Sequence, residues 1–275
     1  MERAIPPGIS HRITAGIGKA VCTFGMIGPG DHITVGLSGG KDSALLLLGL
    51  AWLRERSPVK YILRATMVDI TDGECDTSPM SRLCKSLDIP FEVLPCRVLE
   101  IIRDRNEKAP CSLCSKMRAG ALFARAVENG CTAVAFGHNL DDAVETALLN
   151  LFYTGRFSCF HPRSWRDRTG LWLIRPLVFL SESEIAAEAR RLGLELIAPL
   201  CPFPRDSKRA QIKNLVRTLE GEIPDIRSQV LHALMSSREE NNWAGLVKGT
   251  GSCYRSASPS RSSQRQQQRL SCPPF

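Results

Sequence analysis

The stretch from His32 to Leu48, HITVGLSGGKDSALLLL, constrains this chain more than any other. HITVGL reads as a buried strand, and an apolar helix pattern begins only six residues later. Between them lie Ser38, Gly39, Gly40, Lys41, Asp42 and Ser43. Small residues at that point let backbone N–H groups approach an anion, and a helix start adds partial positive charge. A phosphate site follows from the chemistry. The ordinary P-loop is excluded, because its pattern needs Gly at position 35 and Ser or Thr at 42, where the chain has Val35 and Asp42. A dinucleotide G-x-G-x-x-G is absent too.

YILRATMV (61–68) reads as a second buried strand and CTAVAFG (131–137) as another short one, each beside helical pattern. Strands alternating with helices predict an α/β fold, a doubly wound parallel sheet. Ser181 with Glu184 forms a capping box, and Gly193 follows as a C-cap, so a helix is expected over about 182–192. Two further helical patterns, interrupted near Pro224, predict a helical C-terminal extension. The expected organisation is an N-terminal helical segment (1–30), a phosphate-binding domain (31–180), a helical C-terminal region (181–243) and a disordered basic tail (244–275).

Composition narrows the setting. The chain has 275 residues, 43% of them hydrophobic, enough for one sizeable core. Five of the eight net positive charges lie in residues 241–275, so charge argues only weakly for an RNA partner. The first residues lack a signal-peptide pattern and ALLLLGLAWL is too short for a bilayer, so a cytoplasmic location without membrane attachment is expected. The final CPPF carries prolines where a prenylation box needs aliphatic residues. Eleven cysteines in a reducing compartment should be mostly thiols, and an odd number cannot all pair. Cys22, Cys75, Cys84, Cys96, Cys131 and Cys159 read as buried apolar thiols.

Two constellations remain. Gly137, His138, Asp141 and Asp142 stand where a strand passes into a helix. Neighbouring carboxylates there can hold Mg²⁺ against phosphates or orient a proton, and His138 can touch phosphate; the same acids would also serve as helix caps. The second is Cys111 and Cys114, spaced C-x-x-C. A redox couple at a helix start, half of a zinc site, or part of an iron–sulfur site all remain open, although no second C-x-x-C and no C-x-x-x-C-x-x-C occurs.

LSGGKDS resembles the S-G-G-x-D-S signature of the PP-loop (N-type) ATP pyrophosphatases, and GHNLDD their G-H-x-x-D-D element. With CSLCSKMRAG, LIRPL and LIAPLCPFPRDSKRAQ in the same order, residues 10 to 235 look like the tRNA 2-thiocytidine synthetase group. The resemblance implies that ATP is cleaved between its α and β phosphates, with Ser38, Gly39, Gly40, Asp42 and Ser43 gripping pyrophosphate and Lys41 as a further cation. Gly137, His138 and Asp142 would join the nucleotide site and Asp141 would be catalytic. It further implies a [4Fe-4S] cluster on Cys111, Cys114 and Cys201, a tRNA substrate, a sulfur donor such as a cysteine desulfurase, and a homodimer. The reaction would adenylate the C2 oxygen of a tRNA pyrimidine, most readily cytidine, and replace it with sulfur. The related uridine thiolases carry terminal cysteine pairs for zinc and a lysine where this chain has Arg118, two residues after Lys116; both differences favour the cytidine group. Arg163, Arg166 and Arg168 are candidate contacts to RNA phosphates, or simply a solvated loop. The competing functions are a lysidine synthetase or uridine thiolase on the same fold, and a zinc-stabilised, non-catalytic RNA-binding module.

Overall fold

The computed structural model describes residues 8–107, 110–198 and 208–236. Its elements run α1 (His11–Thr23), β1 (His32–Leu37), α2 (Lys41–Arg56), β2 (Ile62–Asp69), α3 (Ser78–Ser86), β3 (Phe91–Pro95), α4 (Val98–Asp104), α5 (Pro110–Glu128), β4 (Ala133–Ala135), α6 (Leu140–Thr154), β5 (Arg163–Arg166), β6 (Leu171–Ile174), α7 (Glu182–Arg191), α8 (Lys208–Glu222) and α9 (Ile226–Ser236). Six strands form one sheet in the order β3-β2-β1-β4-β6-β5. Five are parallel and β5 alone runs antiparallel, against β6. The expected parallel sheet therefore stands, with the correction of one antiparallel edge. WRDRTGL is a hairpin, a connection that strand-then-helix alternation does not foresee.

Burial explains the order. β1 lies between β2 and β4, and its inward residues Ile33 and Val35 are wholly buried. α2 is buried without a break from Ser43 to Ala51, because it packs on the sheet and also under α1 and α7. Leu45, Leu46 and Leu47 are fully inaccessible, each contributing about 1.5–3 kcal/mol through the area it removes from water. That is why this helix carries no polar face.

The chain winds from β1 outward through β2 to β3, then crosses back to place β4 on the other side of β1. The carboxyl ends of the adjacent strands β1 and β4 therefore lie at the topological switch point, where open α/β sheets bind ligands. The loops leaving those two ends are SGGKDS and FGHN. The C-terminal helices form their own apolar cluster, with Val144 and Leu148 of α6 against Ile212 and Val216 of α8. Among the described residues no helix is long and apolar enough to cross a membrane. Residues 244–275, read as a disordered tail, lie outside the described residues, as does Cys201.

Candidate active site

The first loop is built by its own small residues. Gly39 takes φ +78, and a Cβ there would lie 2.6 Å from the Ile197 side chain, so only glycine fits. Its carbonyl accepts from the Ile197 N–H at 2.9 Å. The Ser43 hydroxyl accepts the Ser38 N–H at 3.1 Å and donates to the Gly40 carbonyl at 3.0 Å, while the Ser38 hydroxyl accepts the Gly40 N–H at 3.3 Å. Gly40 at the N-cap of α2 provides no side-chain cap, leaving first-turn N–H groups for an anion.

The second loop approaches so closely that it too needs glycine. A Cβ on Gly137 would meet the Asp42 carbonyl carbon at 3.0 Å and the Ser43 nitrogen at 3.1 Å. Asn139 then caps α6 in a reciprocal box with Asp142, and its amide donates to Asp42 Oδ1 at 2.9 Å, tying the two loops together. Asp142 Oδ1 also accepts from Arg209 of α8 at 3.0 Å. Burial pushes the Asp142 carboxyl above its ordinary range, against the pull of the Asn139 N–H and Arg209. His138 is packed against the Phe136 and Phe160 rings and accepts at Nδ1 from Arg175 Nε at 3.1 Å. Burial, then Arg175 and Arg209, push its pKa down to about 4, so the imidazole is neutral.

These loops and the start of α5 enclose a cavity of about 460 Å³. Ser38, Asp42 and Ser43 line it from one side, Gly137, His138 and Asp142 from another, and Cys111, Cys114 and Arg118 from the mouth. Three sequence motifs spread over more than a hundred residues thus share one space. The helix that carries the pair, α5, begins at Pro110, which puts Cys111 in its first turn and Cys114 just beyond it, with Cys111 exposed and Cys114 half-buried. Of the two cations in question, Arg118 faces the cavity and Lys116 does not line it.

Two expected participants turn elsewhere. Asp141 does not line this cavity: Oδ2 accepts the Glu182 N–H at 2.7 Å and Oδ1 accepts from Arg227 Nε at 2.8 Å. Lys41 points the same way, to Asp42 at 3.0 Å and Glu182 at 3.2 Å, and Lys213 meets Glu182 at 2.5 Å. Burial lowers the Lys41 pKa, but Asp42 and Glu182 together outweigh it and hold it above the ordinary value. These groups brace α7, α8 and α9 against the first loop, so the paired-carboxylate reading of Asp141 and Asp142 is corrected to one acid on each side of α6.

Of the other described cysteines, Cys84 and Cys131 are buried as expected, whereas Cys22, Cys75, Cys96 and Cys159 are only half-buried. Burial pushes Cys84 up to about 12 and Cys159 up to about 11, and raises Cys75 and Cys131. Among the described residues no three His, Cys, Asp or Glu side chains are gathered as a metal-binding group, so a closed zinc site is not assembled by them. Two thiols at the cavity mouth fit a cluster that takes its third ligand from elsewhere. Arg166 and Arg168 stand at the turn before β6, at the end of the sheet opposite the cavity, and Arg163 lies over the Trp172 ring at 3.7 Å. Sequence reasoning passed over Arg175, Arg209 and Asn139. Their signal lay in LIRPL, SKRAQ and the N-cap position of GHNLDD.

The PP-loop domain model matches residues 18–216. A tRNA-cytidine(32) 2-sulfurtransferase of Pelobacter propionicus is 39% identical over 228 residues, 82% of this chain and 85% of that protein. One from Geobacter metallireducens is 36% identical, over 82% and 89% of the two chains. Among solved structures, the U34-tRNA thiolase NcsA from Methanococcus maripaludis with its [4Fe-4S] cluster superimposes with a TM-score of 0.66 at 21% identity, over 82% of this chain and 76% of that one. By sequence, this chain belongs to the PP-loop family and, within it, to the tRNA-cytidine(32) 2-sulfurtransferases.

Proposed function

We propose that this chain is an ATP-dependent tRNA thiolase, which adenylates the C2 oxygen of a tRNA cytidine and exchanges that oxygen for sulfur. One observation carries the reading: a phosphate-binding loop, a neutral histidine with an acid, and a C-x-x-C pair line a single cavity. A lysidine synthetase would need the first two and not the third.

The C2 oxygen of cytosine is a poor leaving group. Its attack on the α-phosphorus of ATP expels pyrophosphate and turns the oxygen into a phosphate ester, which departs readily as AMP. The Ser38–Ser43 loop and the start of α2 receive the pyrophosphate charge as it develops. Asp42 and Asp142, drawn together by Asn139, are the acids that would hold Mg²⁺ against the phosphates. A sulfur nucleophile then forms the C2–S bond as the C2–O bond breaks, with no net oxidation or reduction. Arg118, one helical turn beyond Cys114, is the cation placed to meet the base or its phosphate. The base reaches this cavity only when turned out of its loop stack.

Cys111, Cys114 and Cys201 would hold the cluster. Held by these three thiolates, a [4Fe-4S] cluster would have one iron without a protein ligand, and the chemistry it would supply here is sulfur delivery and not electron transfer. Ile197 is bonded to Gly39 and Arg209 to Asp142, so the chain enters and leaves residues 199–207 beside the cavity. Cys201, four residues past Ile197, is at most about 14 Å of chain from that anchor. A sulfur donor of the cysteine desulfurase class and a homodimeric assembly belong to the same proposal.

The test is a single-turnover reaction of anaerobically purified protein with ATP, sulfide and unmodified tRNA. Equal yields of AMP, pyrophosphate and 2-thiocytidine are expected. AMP release with no sulfur in the RNA, or zinc in place of iron, overturns the reading.

A further inference from the structure

Arg175 follows β6 directly and is 5% exposed, yet among the described residues no carboxylate pairs with it. Its guanidinium donates from Nε to His138 Nδ1 at 3.1 Å and from Nη1 to the His161 carbonyl at 2.5 Å, and lies 4.7 Å from the Phe160 ring centre. A buried cation whose acceptors are a neutral ring and a carbonyl costs stability that an aliphatic side chain would not. A guanidinium has donors only, so the atom facing it must offer a lone pair. In His138 that atom is Nδ1, and the proton of the neutral ring must then sit on Nε2. The Phe136 and Phe160 rings, 5.7 and 5.2 Å away, hold the imidazole in this orientation. Nε2 makes no hydrogen bond with any described residue, and His138 lines the cavity shared with Ser38 and Ser43.

We propose that Arg175 is a positioning residue that locks His138 as the Nε2–H tautomer, so that His138 meets the nucleotide's phosphates as a hydrogen-bond donor and never as a base. The proposal rests on the cavity taking ATP. A general base in this position would be consumed by protonation as the reaction proceeds, whereas a fixed neutral Nε2–H donor stabilises developing phosphate charge by hydrogen bonding, with no proton transferred. The charged groups around the ring fit this role. Arg175 and Arg209 disfavour an imidazolium, Asp42 and Asp142 are engaged by Asn139, Lys41 and Arg209, and the Cys159 thiol is kept protonated by burial.

The experiment is imidazole ¹H–¹⁵N NMR on the full-length protein labelled with ¹⁵N-histidine, which has five histidines, with His138 assigned by its loss in His138→Asn. The wild type is expected to show only the Nε2–H tautomer from pH 6 to 8, and Arg175→Met to show Nδ1–H as well. A wild-type Nδ1–H or imidazolium signal, or an unchanged tautomer in Arg175→Met, overturns the proposal. Arg175→Lys keeps a buried cation with donors only and should retain the Nε2–H tautomer; an Nδ1–H signal in it overturns the proposal. In Arg175→Met kcat for AMP release should drop by about tenfold with KM for ATP unchanged; a rise in KM alone overturns the role. The spectra need no turnover, so the tautomer can stand even if no RNA is thiolated, and the thiolase reading can stand if the tautomer is wrong.

Discussion

Asp141 and Asp142 are adjacent in sequence, both open α6, and have opposite surroundings. Asp142 faces the cavity with Asp42 and His138, while Asp141 faces the C-terminal helices with Glu182 and Arg227. One residue along a helix is a rotation of about 100°. That rotation separates a side that lines the cavity, although Asp142 there still accepts from Asn139 and Arg209, from a side on which Asp141 only braces the C-terminal helices. Lys41 and Asp42 repeat the division at the start of α2: Asp42 lines the cavity and Lys41 reaches Glu182. A pair of like residues in a motif is therefore not evidence for a pair of like roles.

The division can be broken by substitution. The largest effect is expected at the cavity mouth, where Cys114→Ser should reduce 2-thiocytidine formation to background while ATP binding, measured by calorimetry, persists. Next comes Asp142→Asn, which should lower AMP release by about a hundredfold and, because this carboxylate also accepts from the Asn139 N–H and Arg209, lower the unfolding midpoint too. Asp141→Asn should affect stability alone. Losing a charged acceptor of two hydrogen bonds costs about 2 kcal/mol in urea unfolding, and the folded fraction should release AMP at the wild-type rate. An inactive Asp141→Asn with full stability would erase the distinction between the two sides.

The smallest effects lie in the pH dependence of stability, and they separate the sides by window. His138 ordinarily titrates at 6.5 and in the fold at about 4, chiefly through burial. The unfolded chain thus binds more protons between those values, and stability falls as pH drops from 6.5 toward 4. Raised by burial, Asp142 opposes this loss. On the bracing side, Arg191 and the Ser10 N–H hold Glu188 below its ordinary 4.5, so its contribution is complete above 4.5 and lost as pH falls further. Thermal unfolding across pH should lose the upper slope in His138→Asn and the lower one in Glu188→Gln.

Much of this was legible because it is local. β1 was expected at 32–37 and runs over His32–Leu37, and α7 carries the capping box that Ser181 and Glu184 announce. The small residues of the first loop were read as opening the backbone to an anion, whereas the positive φ of Gly39 and its close approach to Ile197 are set by the fold. β3 was not foreseen, because FEVLP is short and only partly buried at an outer position. Nor was the β5–β6 hairpin, whose pairing is decided by an open sheet edge.

By itself the sequence determined the strand–loop–helix phosphate site, the alternation that makes an α/β sheet, and a C-x-x-C pair without a partner pair. These depend on residues within a few positions of one another, where steric and hydrogen-bonding preferences act directly. Tertiary structure alone decided that the pair shares a cavity with the two loops, that Asp141 and Lys41 turn to the bracing side, and that Arg175 stands against His138. Those outcomes depend on the crossover that sets β4 beside β1 and on the packing of α8 and α9 over α6, which join residues far apart in sequence, 97 positions in the Asn139–Asp42 bond and 141 in Lys41–Glu182.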